Sequence, residues 1–176
     1  MNHYEFPTEF RALYDQAVDL YRKGRRGAGT YFSKGQAAWL AANGISPQYM
    51  YDYAEDESAY GEPGFGHALA IELFRRNYFL NVQDAKPTRV VLDESKMPAK
   101  TDSAKGIEWL PRIIPKAKAK LRGELPESLM YCCGGDRRFF KANNILPAEF
   151  LGIVWRNGDD DVATIDWVVA RSKNAS

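Results

Sequence analysis

Residues 131–150 read YCCGGDRRFFKANNILPAEF, and one hundred residues earlier stands YFSKGQAAWLAANGISPQYM, residues 31–50. In that register Tyr31, Gly35, Ala42, Asn43, Ile45 and Pro47 meet Tyr131, Gly135, Ala142, Asn143, Ile145 and Pro147, six identities in twenty positions. Average residue usage gives roughly one. The register extends upstream, where Phe10, Leu13, Tyr14, Ala17 and Tyr21 fall opposite Leu110, Ile113, Ile114, Ala117 and Leu121. The pattern predicts an internal duplication of a helical unit at an offset of 100 residues.

The 176 residues suffice for one good core or two small ones, and 45% hydrophobic with 27% charged residues is ordinary globular composition. A formal charge of +1 supplies no field that would draw in nucleic acid or an anionic membrane. No stretch approaches the roughly 18 apolar residues of a spanning helix, and MNHYEFPTEF is not a signal peptide. The expectation is a cytoplasmic protein. The only cysteines, Cys132 and Cys133, are adjacent and cannot staple distant parts of the chain.

Along the chain, Phe10, Leu13, Tyr14, Ala17 and Tyr21 have the spacing of an amphipathic helix over 8–23, closed by Arg22, Lys23 and Gly24. The cluster Arg22, Lys23, Arg25 and Arg26 reads as complementing the helix dipole. A short helix over 36–43 stops at Asn43-Gly44, and Ser46-Pro47 starts the next over 47–57. This spacing raises the question of a DNA-reading helix–turn–helix, but the second helix carries Asp52, Glu55, Asp56 and Glu57, which phosphate would repel. No nucleic-acid partner is expected. In the helix over 65–79, a wheel puts His67 with Phe74 and Tyr78 on an apolar side and Glu72, Arg75 and Arg76 opposite. A histidine lining a cleft in a first helical turn suits a general base, but a core histidine hydrogen-bonded to backbone is the more common outcome at such a position.

Residues 81–106 lack helical period and contain one strand-like run, Thr88–Leu92, so they read as a linker or covering loop between a first unit, 1–80, and a second, 107–176. The second unit repeats the helices near 112–122, with Pro115 forcing a start near Ile113 or a kink, then 136–143, 147–156 and 160–171. The fold expected is all-α, two similar helical units packed as one compact protein across a pseudo-two-fold axis.

The departures between copies are where chemistry is sought. Ser33 faces Cys133, Gln36 faces Asp136, and Ala37 and Ala38 face Arg137 and Arg138. Cys133-Gly134-Gly135-Asp136 is a glycine loop entering a helix, and a helix N-terminus beside guanidinium groups is where reactive cysteines occur. The glycine amides could cradle an anion. Structurally, Asp136 reads as an N-cap and the cysteines as small buried fillers. With His3 and His67 and one cysteine pair there is no set of ligands for a structural zinc, and no metal is expected. Neither a phosphate-binding loop nor a dinucleotide fingerprint is present, so no cofactor is expected either.

The runs LPRIIPKAKAKLRGEL, YCCGGDRRFF and ILPAEFLGIVWRNGDDD resemble the bacterial family catalogued as domain of unknown function 5069. Leu110, Pro111, Arg112, Lys116, Gly123, Leu125, Tyr131, Cys133, Asp136, Arg138 and Phe139 match its pattern, over residues 107–170, and Tyr51–Asp56 and Tyr60–Pro63 resemble segments of its longer members. Cys132 departs from the pattern. The resemblance implies no activity.

Two functional classes follow. The first is a small-molecule site, enzymatic or binding, at the Cys133 loop, with Cys133, Asp136 and His67 as catalytic candidates. Arg112, Arg137 and Arg138 would hold a small anionic molecule, and Trp109, Tyr131 and Trp39 would wall the site. The second is a non-catalytic interaction or homodimerisation module using an aromatic surface of ten tyrosines and four tryptophans. A cleft in which Cys133 and Asp136 converge favours the first.

Overall fold

The computed structural model describes residues 3–173. Among them lie eight α-helices and one two-stranded sheet: α1 (Phe6–Arg22), α2 (Lys34–Ala42), α3 (Pro47–Tyr60), α4 (Phe65–Asn81), β1 (Ser103–Ala104), β2 (Ile107–Glu108), α5 (Leu110–Arg122), α6 (Gly134–Ala142), α7 (Pro147–Asn157) and α8 (Asp161–Ser172). The protein is therefore mostly helical, and no described helix is long and apolar enough to cross a membrane. The chain divides into two compact units, Met1–Pro87 and Thr88–Ser176.

In the first unit α1 lays Phe6, Phe10, Leu13, Tyr14, Ala17 and Val18 into the interior, where Leu40, Ile45, Met50, Tyr53, Ala54, Ala68, Ile71 and Phe79 meet them. Aromatic rings link these helices: Phe6 stacks on Trp39 at 5.4 Å, and Tyr14 meets Phe65 edge-on at 5.5 Å. Such offset and edge contacts add about 0.5–1.5 kcal/mol each beyond burial. Helix α2 is closed by a capping box, in which Ser33 Oγ accepts from Gln36 N and Gln36 Oε1 accepts from Ser33 N. It ends in a left-handed Gly44 (φ +71°), with Ile45 N donating to Leu40 O at 2.9 Å. Glycine is required there, because a Cβ would lie 2.6 Å from the Phe79 ring.

The face of α4 differs from the wheel. Glu72, Arg75 and Arg76 are buried, Phe74 and Tyr78 are half-buried, and His67 is exposed. Partners on other elements accompany Glu72 and Arg76 inside. Tyr53 Oη donates to Glu72 Oε1 at 2.7 Å, Arg76 Nε donates to Asn43 Oδ1, and the Arg76 guanidinium lies 4.8 Å from the Phe6 ring centroid.

In the second unit α5 buries Leu110, Ile113, Ile114, Ala117 and Leu121 against Phe140, Ile145, Phe150, Leu151, Val154 and Val168. Phe140 packs on Tyr131 and Phe150 at 5.9 and 5.7 Å. Helix α5 starts at Leu110 rather than Ile113: Pro111 sits in the first turn, where no donor is needed, and the helix runs on through Pro115. Thr88–Leu92 is not a strand. The short strands lie further on, joined by Lys105-Gly106 with φ of +51° and +81°, the positive pair a tight hairpin turn demands.

Residues 88–109 form a strap on this unit. Leu92 N donates to Glu124 O at 2.8 Å, Ser128 Oγ donates to Glu94, and Arg112 Nη1 donates to Pro98 O at 2.8 Å. Lys105 pairs with Asp166, and Trp109 N donates to Asp102 O at 3.1 Å. The strap ends at Trp109, which adopts φ +70° as it enters α5.

Candidate functional site

The loop Tyr131–Cys133 delivers the chain into α6 through two unusual steps. Cys132 is left-handed, φ +71°, and Cys133 is the N-cap, φ −64° and ψ 172°. A non-glycine residue in the left-handed region costs about 1–2 kcal/mol. The surrounding bonds hold it there: Cys132 N donates to Asp136 Oδ2 at 2.8 Å, and Arg137 Nη1 donates to Cys132 O at 2.8 Å.

Asp136 is the hub. It lies in the first turn of α6 and is wholly buried, and its Oδ2 also accepts from Lys116 Nζ at 2.7 Å while Oδ1 accepts from Trp109 Nε1 at 3.0 Å. Lys116, on the inner face of α5, is 1% exposed. A buried carboxylate and ammonium each demand a partner, and here they are each other's. The same ammonium reaches Cys133 Sγ at 3.3 Å, and Cys133 is half-buried, whereas Cys132 is buried. Burial first, and then the Asp136 charge, push the Cys132 thiol from its ordinary 9.0 up to about 12. Cys133 is thus the thiol that combines solvent access with a fixed charged neighbour.

Over this cluster lies the Trp109 indole. A Cβ on Gly135 would stand 2.5 Å from Trp109 Cζ2, so the ring rests directly on the glycine backbone. One residue earlier, a Cβ on Gly134 would stand 3.7 Å from Arg137 Nη2 and 4.0 Å from Arg138 Nη1, so two guanidinium groups flank the start of α6. No side chain caps that start by a hydrogen bond. In place of the Ser33–Gln36 capping box of α2, Asp136 turns its carboxylate back to Lys116, Trp109 and Cys132. Its first-turn amides and the neighbouring guanidinium groups are suited to an anion.

The expected site residues therefore have different places. Cys133, Asp136 and Trp109 come together, with Arg138 exposed at the rim. Arg137 is buried and holds the Cys132 carbonyl, and Arg112 holds the strap through Pro98. Tyr131 is a core residue rather than a wall: it is buried, and its hydroxyl donates to Pro147 O at 2.8 Å. Trp39 belongs to the first unit, stacked on Phe6. His67, on the exposed side of α4 in that unit, has no cleft position of the kind a buried general base requires. Of the expected aromatic surface, Tyr14, Tyr31, Tyr49, Tyr53 and Tyr131 are buried, Tyr21, Tyr51, Tyr78 and the four tryptophans are half-buried, and Tyr4 and Tyr60 are exposed.

Lys116, which the sequence singles out only through the family resemblance, is absent from the candidate site residues. Its signal lay in the same register: position 16 is Gln where 116 is Lys, just as 36 is Gln where 136 is Asp. In the first unit Gln16 and Gln36 bond to each other, Gln36 Nε2 donating to Gln16 Oε1 at 2.7 Å. The second unit has a charged pair where the first has a neutral one. Among the described residues no group of three or more His, Cys, Asp or Glu is placed to hold a metal ion. A scan against models of protein families and searches of curated proteins and of solved structures found no match for this chain.

Proposed function

We propose that the second unit carries a small-molecule site in which Cys133 Sγ is the nucleophile toward a small electrophile bearing an anionic or carbonyl oxygen. One observation carries the reading: a single buried ammonium, Lys116 Nζ, lies 3.3 Å from a half-buried sulfur and 2.7 Å from a carboxylate that orients it. Nucleophile, charged partner and orienting group in hydrogen-bond sequence are the arrangement of covalent catalysis. The Gly134 and Gly135 amides, with Arg138 at the rim, receive the substrate oxygen. Asp136 fixes Lys116, and Trp109 covers the pair from solvent. In this reading the protein is cytoplasmic, where both thiols stay reduced.

Two further points belong to the proposal. The units descend from one duplicated helical segment. This is supported by the equal bounds of α2 and α6 at an offset of one hundred, by Pro47 and Pro147 both opening the next helix, and by Asn43 and Asn143 both donating through Nδ2 to the carbonyl four residues back at 2.8 Å. Membership of the family of unknown function 5069 is supported by the clustering of its motif residues: Lys116, Cys133 and Asp136 are in direct contact, with Arg138 beside Gly134.

Iodoacetamide labelling read by peptide mass spectrometry tests the site. Cys133 is expected to label at least tenfold faster than Cys132 in the folded protein, with inorganic phosphate slowing it, and Lys116→Met is expected to change the Cys133 rate more than the Cys132 rate. Equal, sluggish labelling of both thiols would remove the basis for thiol chemistry.

A further inference from the structure

Lys116 Nζ and Cys133 Sγ are in direct contact at 3.3 Å, the lysine enclosed and the cysteine half-buried. An enclosed nitrogen beside an oxidisable sulfur has a chemistry that substrate binding does not use. Cysteine sulfenic acids condense reversibly with a thiol to a disulfide or with a backbone nitrogen to a sulfenamide, and an unprotonated lysine amine is a stronger nitrogen nucleophile than a backbone amide. We propose that Cys133, once oxidised by a hydroperoxide, condenses with Lys116 to a sulfenamide that ties α5 covalently to the entrance of α6. The inference rests on the preceding reading of Cys133 as the reactive thiol.

The steps balance as follows. The sulfur attacks the terminal oxygen of the hydroperoxide, the O–O bond breaks, and the thiol proton goes to the departing oxygen. Sulfur is oxidised by two electrons and the peroxide is reduced. Lys116 Nζ then gives one proton to Asp136 Oδ2, 2.7 Å away, and its lone pair attacks the sulfur. The S–O bond breaks, and the departing hydroxide takes a second proton from nitrogen to leave as water. With hydrogen peroxide the sum is one thiol, one ammonium, one carboxylate and one peroxide giving an N–S bond, a carboxylic acid and two waters. A dithiol reverses it by attacking sulfur and releasing the amine.

The geometry favours Lys116 over Cys132 as the resolving group. Cys132 is buried, its amide is held by Asp136 and its carbonyl by Arg137, and its φ of +71° is part of that arrangement. Ring closure between neighbouring cysteines would break these bonds, whereas the lysine nitrogen needs only to close on a sulfur it already touches.

Full-length protein treated with one equivalent of hydrogen peroxide, quenched and digested, decides the matter by peptide mapping. The expected product is a peptide pair joined through Lys116 and Cys133, lighter than the sum of its parts by about 2 Da, retained in Cys132→Ser, absent in Lys116→Arg, and undone by dithiothreitol. A Cys132–Cys133 link, a bridge retaining an oxygen, or a wild-type protein that stops at a dimedone-trapped sulfenic acid would each overturn the proposal. Iodoacetamide labelling without peroxide separates the two levels. Rapid labelling of Cys133 with no bridge on oxidation defeats only the condensation, and failure to label defeats the thiol site as well. The wild-type mapping decides even if a variant does not fold.

Discussion

Gly135 offers the most direct test of how the site is built. Replacing it by alanine puts a Cβ 2.5 Å from Trp109 Cζ2 and 2.6 Å from Cη2. Carbon atoms prefer about 3.5–4.0 Å, so the indole must retreat by roughly 1 Å. It cannot do so freely, because its backbone is held through Asp102 O and its Nε1 donates to the buried Asp136 at 3.0 Å. Overpacking costs about 1–3 kcal/mol, and a weakened hydrogen bond to a charged group about 1.5–3 kcal/mol. Removing a helical glycine returns about 0.5–1 kcal/mol. The net expectation is a loss of about 1.5–5.5 kcal/mol. Gly35 is the control: it occupies the matching helical position in α2, and a Cβ there meets nothing within 4 Å. Gly35→Ala should therefore be neutral or stabilising by about 0.5 kcal/mol. Urea unfolding followed by far-ultraviolet circular dichroism gives both values. A Gly135→Ala protein as stable as wild type, or two variants equally destabilised, would refute the account of Trp109 resting on the glycine backbone.

Lys116→Met should cost about 3–5 kcal/mol by leaving Asp136 a buried, unpaired charge, and Lys116→Met with Asp136→Leu should recover part of that in the same urea assay, which a merely exposed ion pair would not do. Stability should also fall in alkali. The Cys132 thiol titrates at about 12 when folded against 9.0 ordinarily, and burial also raises the Tyr131 hydroxyl. The unfolded chain thus gives up these protons first, so the stability present below pH 9 is lost progressively as pH rises toward 12. Urea midpoints across that window should decline, less steeply in Cys132→Ala, and a flat profile would contradict the burial.

Helix positions were legible because they rest on local signals. Ser46-Pro47 and Asn43-Gly44 mark a start and a stop through caps that neighbours complete, and the structure begins α3 at Pro47 and ends α2 at Ala42. The orientation of α4 was not legible, since a wheel ranks polarity while Glu72 and Arg76 are accommodated by Tyr53 and Asn43, partners 19 and 33 residues away. Thr88–Leu92 has strand-like residues but bonds as a strap, Leu92 going to Glu124 rather than to a parallel run. At the site, comparison of residues 31–50 with 131–150 singles out Cys133 and Asp136 but stops short of position 116, whose importance depends on its burial. No local pattern marked the left-handed Cys132 or the inward turn of Arg137, which depend on each other.

The neutral Gln16–Gln36 pair and the charged Lys116–Asp136 pair have an implication for how such sequences can drift. Exchanging one kind of pair for the other one residue at a time passes through a form with a lone ion in a dry interior, a penalty of about 3–5 kcal/mol. That is comparable with the whole stability of a small domain, roughly 5–15 kcal/mol. Single-step routes are therefore costly unless a stabilising change elsewhere comes first, and positions 116 and 136 should be found substituted together more often than singly.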